Sequence, residues 1–340
     1  MSRVTIGLRR PIKTTRVYDT YWRFAAARQR AFFEHLAGSD VLTDDPIIAN
    51  HRFTNAYRAS DRVSQYLIQH VIYEGDLEPE EVFFRTLLFR IFNKIDTWKR
   101  LTKRFRAVTW REFSYRAYDA ELSRIMRARK PIYSAAYIMP SRAGRLRSPR
   151  KHRNHLQLLA MMMRDGLVHR LMGAKRAADA FLMLRSYPMI GDFLGYQFFT
   201  DLNYGPLLDF SEMDFVIPGP GAASGLRKCI AENGGMSDSD LIRLVTDMQE
   251  DEFASRGVDF SDLWGRPLQL IDCQNLFCEV DKYARVAHPQ VKSGSGRSQI
   301  KQKYRRSTER LRVWYPPKWG INENIPAEMR ASTSGGQRGL

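Results

Sequence analysis

The sequence predicts a mainly α-helical fold with at most a small β element, and three observations predict it. Apolar residues recur near a 3.6-residue period along much of the chain. Helix-starting chemistry appears at Asp45-Pro46, Thr109-x-x-Glu112 and Ser237-x-x-Asp240. A single segment, Ile132 to Met139, reads best as a strand.

The elements follow in order. Tyr18, Trp22, Ala25, Phe33 and Leu36 share one face of a helix, with Arg23 and Arg30 elsewhere. Asp45 is an N-cap with Pro46 at the first helical position. Val63, Tyr66, Leu67, His70 and Val71 form an apolar stripe behind a Ser60 cap, and Glu78-Pro79-Glu80-Glu81 opens a helix that runs through Phe83 to Phe92. Thr109-x-x-Glu112 predicts a long amphipathic helix stopped at Lys130-Pro131. Ser141 to Arg153 is a Ser/Arg/Pro-rich basic loop; helices resume over Leu156 to Met172 and Lys175 to Leu184, and the last core helix spans Leu268 to Val286. The expected organisation is an N-terminal helical extension over 1–44, a catalytic helical domain over 45–290, and a basic, flexible or extended tail over 291–340 broken only by Trp314-Tyr315-Pro316-Pro317.

Composition narrows the function classes. A chain of 340 residues with 44% hydrophobic residues can bury a core, so wholesale disorder is excluded. No apolar run approaches the roughly 20 residues that span a bilayer, and no secretory h-region is present, so neither membrane nor secretion is indicated. Cys229, Cys273 and Cys278 give no disulfide framework and no zinc-site spacing, which fits a reducing, cytoplasmic setting. A formal charge of +17 favours a polyanionic partner, because each neutralised phosphate releases counterions.

Several catalytic signatures are absent from these 340 residues: G-x-x-x-x-G-K-[ST], H-E-x-x-H, and the zinc deaminase pattern. Pro218-Gly219-Pro220-Gly221-Ala222 does not follow a strand as a dinucleotide site requires. Three segments carry chemistry instead. Arg52 to Tyr66 holds Arg52, Asn55, Tyr57, Arg58, Asp61, Arg62 and Gln65; as one helix it would set Arg58, Asp61, Arg62 and Gln65 on one face, an anion clamp or a solvated charged face. Tyr187-Pro188-Met189-Ile190-Gly191 with Gly195 and Gln197 is a helix–turn–helix whose glycine permits close approach to a phosphate, or an ordinary capped turn. Asp272 to Tyr283 would project Asp272, Asn275, Glu279 and Lys282 from one side of a helix beside Gln274.

The Tyr187–Gln197 segment resembles the hairpin of helix-hairpin-helix DNA glycosylases, departing from it at Met189, where the first glycine would stand. In that family a catalytic aspartate follows some twenty residues later, a window that here holds Asp209, Glu212 and Asp214. Together the three segments and the Pro218–Ala222 turn resemble, over about residues 45 to 290, the α-glutamyl/putrescinyl thymine pyrophosphorylases, which share a helical domain with 5-hydroxymethyl-deoxyuridine DNA kinases. The resemblance implies a glycosylase-like helical fold and thymine hypermodification in phage DNA. Its substrates would be double-stranded DNA carrying a modified pyrimidine, flipped from the stack, and a small amine, which replaces the leaving group of phosphate-activated 5-hydroxymethyluracil. Asp209, Asp214, Glu279 and Lys282 are the expected catalytic groups. Arg52, Asn55, Tyr57, Arg58, Asp61, Arg62, Gln274 and Asn275 would hold substrate and phosphate, and Tyr187, Gly191, Gly195 and Gln197 the DNA. No cofactor or protein-bound metal is required, though magnesium is compatible with a leaving phosphate. Two rival readings are a glycosylase that excises a modified base and a non-catalytic DNA-binding partner of a DNA kinase.

Overall fold

The computed structural model describes residues 12–292, 297–306 and 311–332. It is mainly helical, with α1 (Arg16–Ala37), α2 (Pro46–Asn50), α3 (Arg62–Leu67), α4 (Pro79–Phe92), α5 (Ile95–Phe105), α6 (Tyr115–Arg127), α7 (Lys151–Arg164), α8 (Leu167–Met172), α9 (Ala177–Arg185), α10 (Asp192–Asn203), α11 (Pro220–Cys229), α12 (Asp238–Asp247), α13 (Gln249–Ser255) and α14 (Leu270–Ala287). The small β element pairs β1 (Lys13–Thr14) antiparallel with β2 (Ile230–Glu232). Caps set the helix ends as the sequence requires. Thr15 accepts from the Val17 N–H while Gly38, at φ 83°, closes α1 in the left-handed region. Asp45 caps α2 with Pro46 at its start, and Ser237 forms a reciprocal capping box with Asp240 at α12.

Contacts divide the chain into two units, the first drawn from 12–61, 215–313 and 323–330, the second from 62–214 and 314–322. In the first, α14 is the central helix, packed by α1, α11 and α12. The Gly-Pro turn serves this packing. Gly219 and Pro220 start α11, and a Cβ at Gly221 or Gly225 would run into Cys278 or the Phe277 backbone. Tyr21 of α1 stacks on Phe277 with centroids 4.4 Å apart, and Trp22 meets Phe253 edge-on at 4.8 Å.

The second unit is built on α4, which is buried from Glu81 to Phe92 and packs against α7, α10, α5 and α8. Its Arg90 forms an ion pair of 2.5 Å with Asp201 of α10, both side chains 1% exposed or less. Phe84 gathers Trp110, Phe113 and Tyr118 into an aromatic cluster.

Five local expectations are corrected by the structure. Residues 132–139 are irregular, with only Ile132 and Met139 buried and no partner strand among the described residues, so the ladder bonds a strand needs are lacking. The Thr109 hydroxyl does accept from the Glu112 N–H, but α6 starts later, under Ser114. The reason is that the Trp110 and Arg111 N–H groups donate to the Glu81 carboxylate of α4, which holds the turn out of the helix. Arg58–Ser60 is a 3-10 turn, Asp61 is extended and α3 begins only at Arg62, so Arg58, Asp61, Arg62 and Gln65 do not share one helical face. The Asp272 carboxylate takes the Arg58 N–H and the Asp61 carboxylate takes the Asn55 N–H, fixing this loop against continuation of a helix. The stretch 156–172 is two helices broken at Gly166, φ 66°. Of the C-terminal region, residues 297–306 run extended, whereas 311–332 is packed: Val313, Tyr315, Ile321 and Ile325 are buried, since four apolar side chains outweigh the polar composition around them.

Candidate functional site

Within the first unit, the loop after α2 lies against α14 and α1, and four charged side chains fix it. Glu279, on the exposed-to-buried seam of α14, accepts the Thr54 N–H at 3.0 Å and pairs with Lys282 at 2.6 Å. Lys282 reaches the Arg52 carbonyl at 3.4 Å and lies 5.2 Å from the Phe53 ring centre. From α1, Arg28 donates to the Thr54 carbonyl at 3.0 Å and to the Asn55 side-chain oxygen at 2.5 Å. Asp272 accepts the Arg58 N–H at 2.7 Å and the Gln269 N–H at 3.0 Å, so it both caps α14 and anchors the loop. Asn55 also donates through its side chain to the Ser60 carbonyl at 2.8 Å.

Asp61 accepts the Asn55 N–H at 2.8 Å. Burial pushes its carboxyl up to about 6, opposed by that hydrogen bond and by Arg28 and Arg58, and reinforced by the negative charge of Glu279. Burial likewise lowers Arg28 from its ordinary value, against the pull of Asp61 and Glu279. The Thr54 hydroxyl is buried and has no hydrogen-bond partner among the described residues; a buried donor of this kind calls for a partner from outside the chain. The arrangement gathers Arg28, Arg58 and Lys282 around a carboxylate raised to about 6, a group that can accept a proton above that pH.

The sequence-singled residues separate as follows. Asn55, Arg58, Asp61, Glu279 and Lys282 come together in this cluster, with Arg52 joined through its carbonyl. Tyr57 is buried and structural, its hydroxyl donating to the Arg266 carbonyl at 2.6 Å. Gln274 is buried and Asn275 half-buried on α14. Arg62 is exposed at the start of α3, in the second unit. In that unit too, Asp209 is 87% exposed, 3.6 Å from Lys318, and Asp214 is exposed. The Tyr187–Gly191 turn joins α9 to α10; Met189 takes φ 69°, the conformation a glycine would adopt freely. Gly191 caps α10 in open space, Gly195 lets Phe181 approach, and Gln197 is buried. Arg28 was not singled out from sequence. The signal was present: it lies in the apolar phase of α1 with Tyr21, Phe24, Ala25 and Phe32, a charge on a core stripe.

A cleft of about 470 Å³ in the same unit, lined by Leu226, Ile230, Asn233 and Asp238 among others, contains none of the cluster residues. Among the described residues, no group of three or more His, Cys, Asp or Glu is placed to hold a metal, and no helix is long and apolar enough to cross a membrane.

Comparison with known proteins gives the lineage. A 5-hmdU DNA kinase of Bacillus phage SP10 is 25% identical over 304 residues, covering 82% of this chain and 46% of the relative. The chain therefore spans about half the length of that relative. No solved structure matches. The family described as "5-hmdU DNA kinase, helical domain" matches residues 15–293, a span that takes in α1 to α14 and every residue of the cluster. The chain belongs to this 5-hmdU DNA kinase helical-domain family.

Proposed function

We propose that this chain acts on a 5-hydroxymethyluracil-derived base in duplex DNA, and that the Arg28–Asp61–Glu279 cluster transfers an amine to its activated methylene carbon. The observation that carries the reading is Asp61, a carboxylate raised to about 6 beside two arginines and Glu279. The target carbon is stacked inside a duplex, so the nucleotide must be extruded, at a cost of a few kcal/mol. The amine nitrogen attacks that carbon, the carbon–oxygen bond breaks, and the phosphate departs with the electron pair. Arg28, Arg58 and Lys282 neutralise the departing charge, and Asp61 takes the proton lost by the nitrogen. Asp209 and Asp214, exposed in the second unit, suit backbone or solvent contact better than this proton transfer.

A second reading is favoured by one observation: the family and the relative are named for a kinase, yet these 340 residues contain no G-x-x-x-x-G-K-[ST]. The chain would then recognise the base for a separate phosphorylating domain. Mass spectrometry of duplexes carrying thymine, 5-hydroxymethyluracil or its phosphate ester, incubated with the protein and putrescine or glutamate, separates the readings. An intact strand in which the phosphate has been exchanged for the amine supports transfer. Selective binding without a mass change supports the recognition role, and a released base with an alkali-labile gap overturns both in favour of a glycosylase.

A further inference from the structure

The positive charge of this chain is not spread over it. Residues 94–153 carry 18 lysines and arginines against four acids, a net +14 of the chain's +17; the other 280 residues hold 36 cations against 33 anions. This stretch comprises α5, α6, the basic loop and the start of α7, all in the second unit. The elements are packed side by side. Phe105 at the end of α5 stacks on Tyr118 of α6 with centroids 4.3 Å apart and planes 6° from parallel. Arg150 of the loop donates to Ser123 of α6 at 3.1 Å, and Arg153 of α7 pairs with Asp119 of α6 at 2.9 Å.

Three of the four acids are engaged locally rather than balancing the whole surface. Glu121 receives two hydrogen bonds from Arg124, at 2.8 and 2.6 Å, which hold its carboxyl below the ordinary range with help from Arg104 and Arg100 of α5. Asp119 is taken by Arg153 and His152, and Asp96 by Lys94. Arg104, Arg127, Arg142 and Arg145 meanwhile stand exposed. Like charges at this density repel one another, so such a concentration is a standing cost unless an anionic partner neutralises it.

We infer that the surface formed by α5, α6 and the 141–150 loop is a binding track for the phosphodiester backbone of duplex DNA. This rests on duplex DNA as the partner in the functional reading, but it assigns a surface in a different unit from the catalytic cluster. The track contacts phosphates and carries no base selectivity.

The experiment compares the wild-type chain with the triple variant Arg104→Gln, Arg127→Gln, Arg145→Gln in equilibrium binding to a thymine duplex and a 5-hydroxymethyluracil duplex across salt concentrations. Each lost phosphate contact lowers the slope of log affinity against log salt by about 0.9. The expected result is a slope smaller by about 2 to 3 units on both duplexes, with an unchanged preference between them and an unchanged Tm. A control variant, Arg30→Gln, Arg227→Gln, Lys301→Gln, removes the same charge elsewhere and leaves the slope near wild type. Equal slope changes in both variants, or none in the first, overturn the inference. So does tight binding to phosphatidylserine vesicles with no measurable DNA affinity. If no base is modified but the slope change holds, the amine-transfer reading falls and the track stands.

Discussion

Asp61 concentrates the chemistry of the account into one side chain. A carboxyl raised to about 6 in the folded chain binds its proton more tightly than the same group does when unfolded. Raising the pH from the ordinary carboxylate range through 6 therefore withdraws stability from the native state. Wild-type Tm should fall across that window, and Asp61→Asn should flatten the fall; parallel Tm curves would show that the group is not perturbed. The same ionisation is required for proton acceptance, so single-turnover rate should rise with pH on a limb centred near 6. Much of this site was legible in the chain: Arg52, Asn55, Arg58, Asp61, Glu279 and Lys282 stand in two segments singled out for their charged side chains, though the helical face expected of the first does not form. What periodicity could not announce is that Asn55 and Thr54 bring those segments onto Arg28. That convergence is made by backbone hydrogen bonds in an irregular loop, and irregular loops leave no period.

At the scale of elements, helix starts were readable because their chemistry is local: Asp45 and Ser237 cap with their side chains, and Pro79 opens its helix at the first position. Thr109 misled because a tertiary acceptor, Glu81, took the Trp110 and Arg111 N–H groups that a helix would have used. The glycines of α11 have a packing meaning that sequence alone left open. Gly225→Ala should cost about 1 to 3 kcal/mol in urea denaturation, because its Cβ would enter the Phe277 carbonyl and α11 would have to move off α14. The Arg90–Asp201 pair is a second element-level anchor. Arg90→Met, which removes the ion-pair partner of the buried Asp201 carboxylate, should lower stability by about 3 to 5 kcal/mol. A loss under 1 kcal/mol in either variant would mean that the helices repack easily.

For the molecule as a whole, the charge points to a polyanionic partner, and family membership agrees with the resemblance carried by its motifs. The distribution of that charge says more than its sum. With +14 of +17 between residues 94 and 153, the proposed track would carry affinity and the cluster base selectivity, and the two should respond separately to mutation. Salt should weaken binding to every duplex alike while leaving the ratio between modified and unmodified duplexes nearly constant, a pattern that titration at 50 and 200 mM salt reads directly.

The central claim is that Asp61 accepts a proton from an amine attacking an extruded, activated pyrimidine. Its most direct test is single-turnover product formation on a duplex with one 5-hydroxymethyluracil phosphate ester and excess amine, for wild type and Asp61→Asn. The account predicts an amine-bearing strand from the wild type and a rate lower by roughly 10² to 10⁴-fold in the variant, with duplex affinity preserved. Equal rates from the two proteins would contradict it.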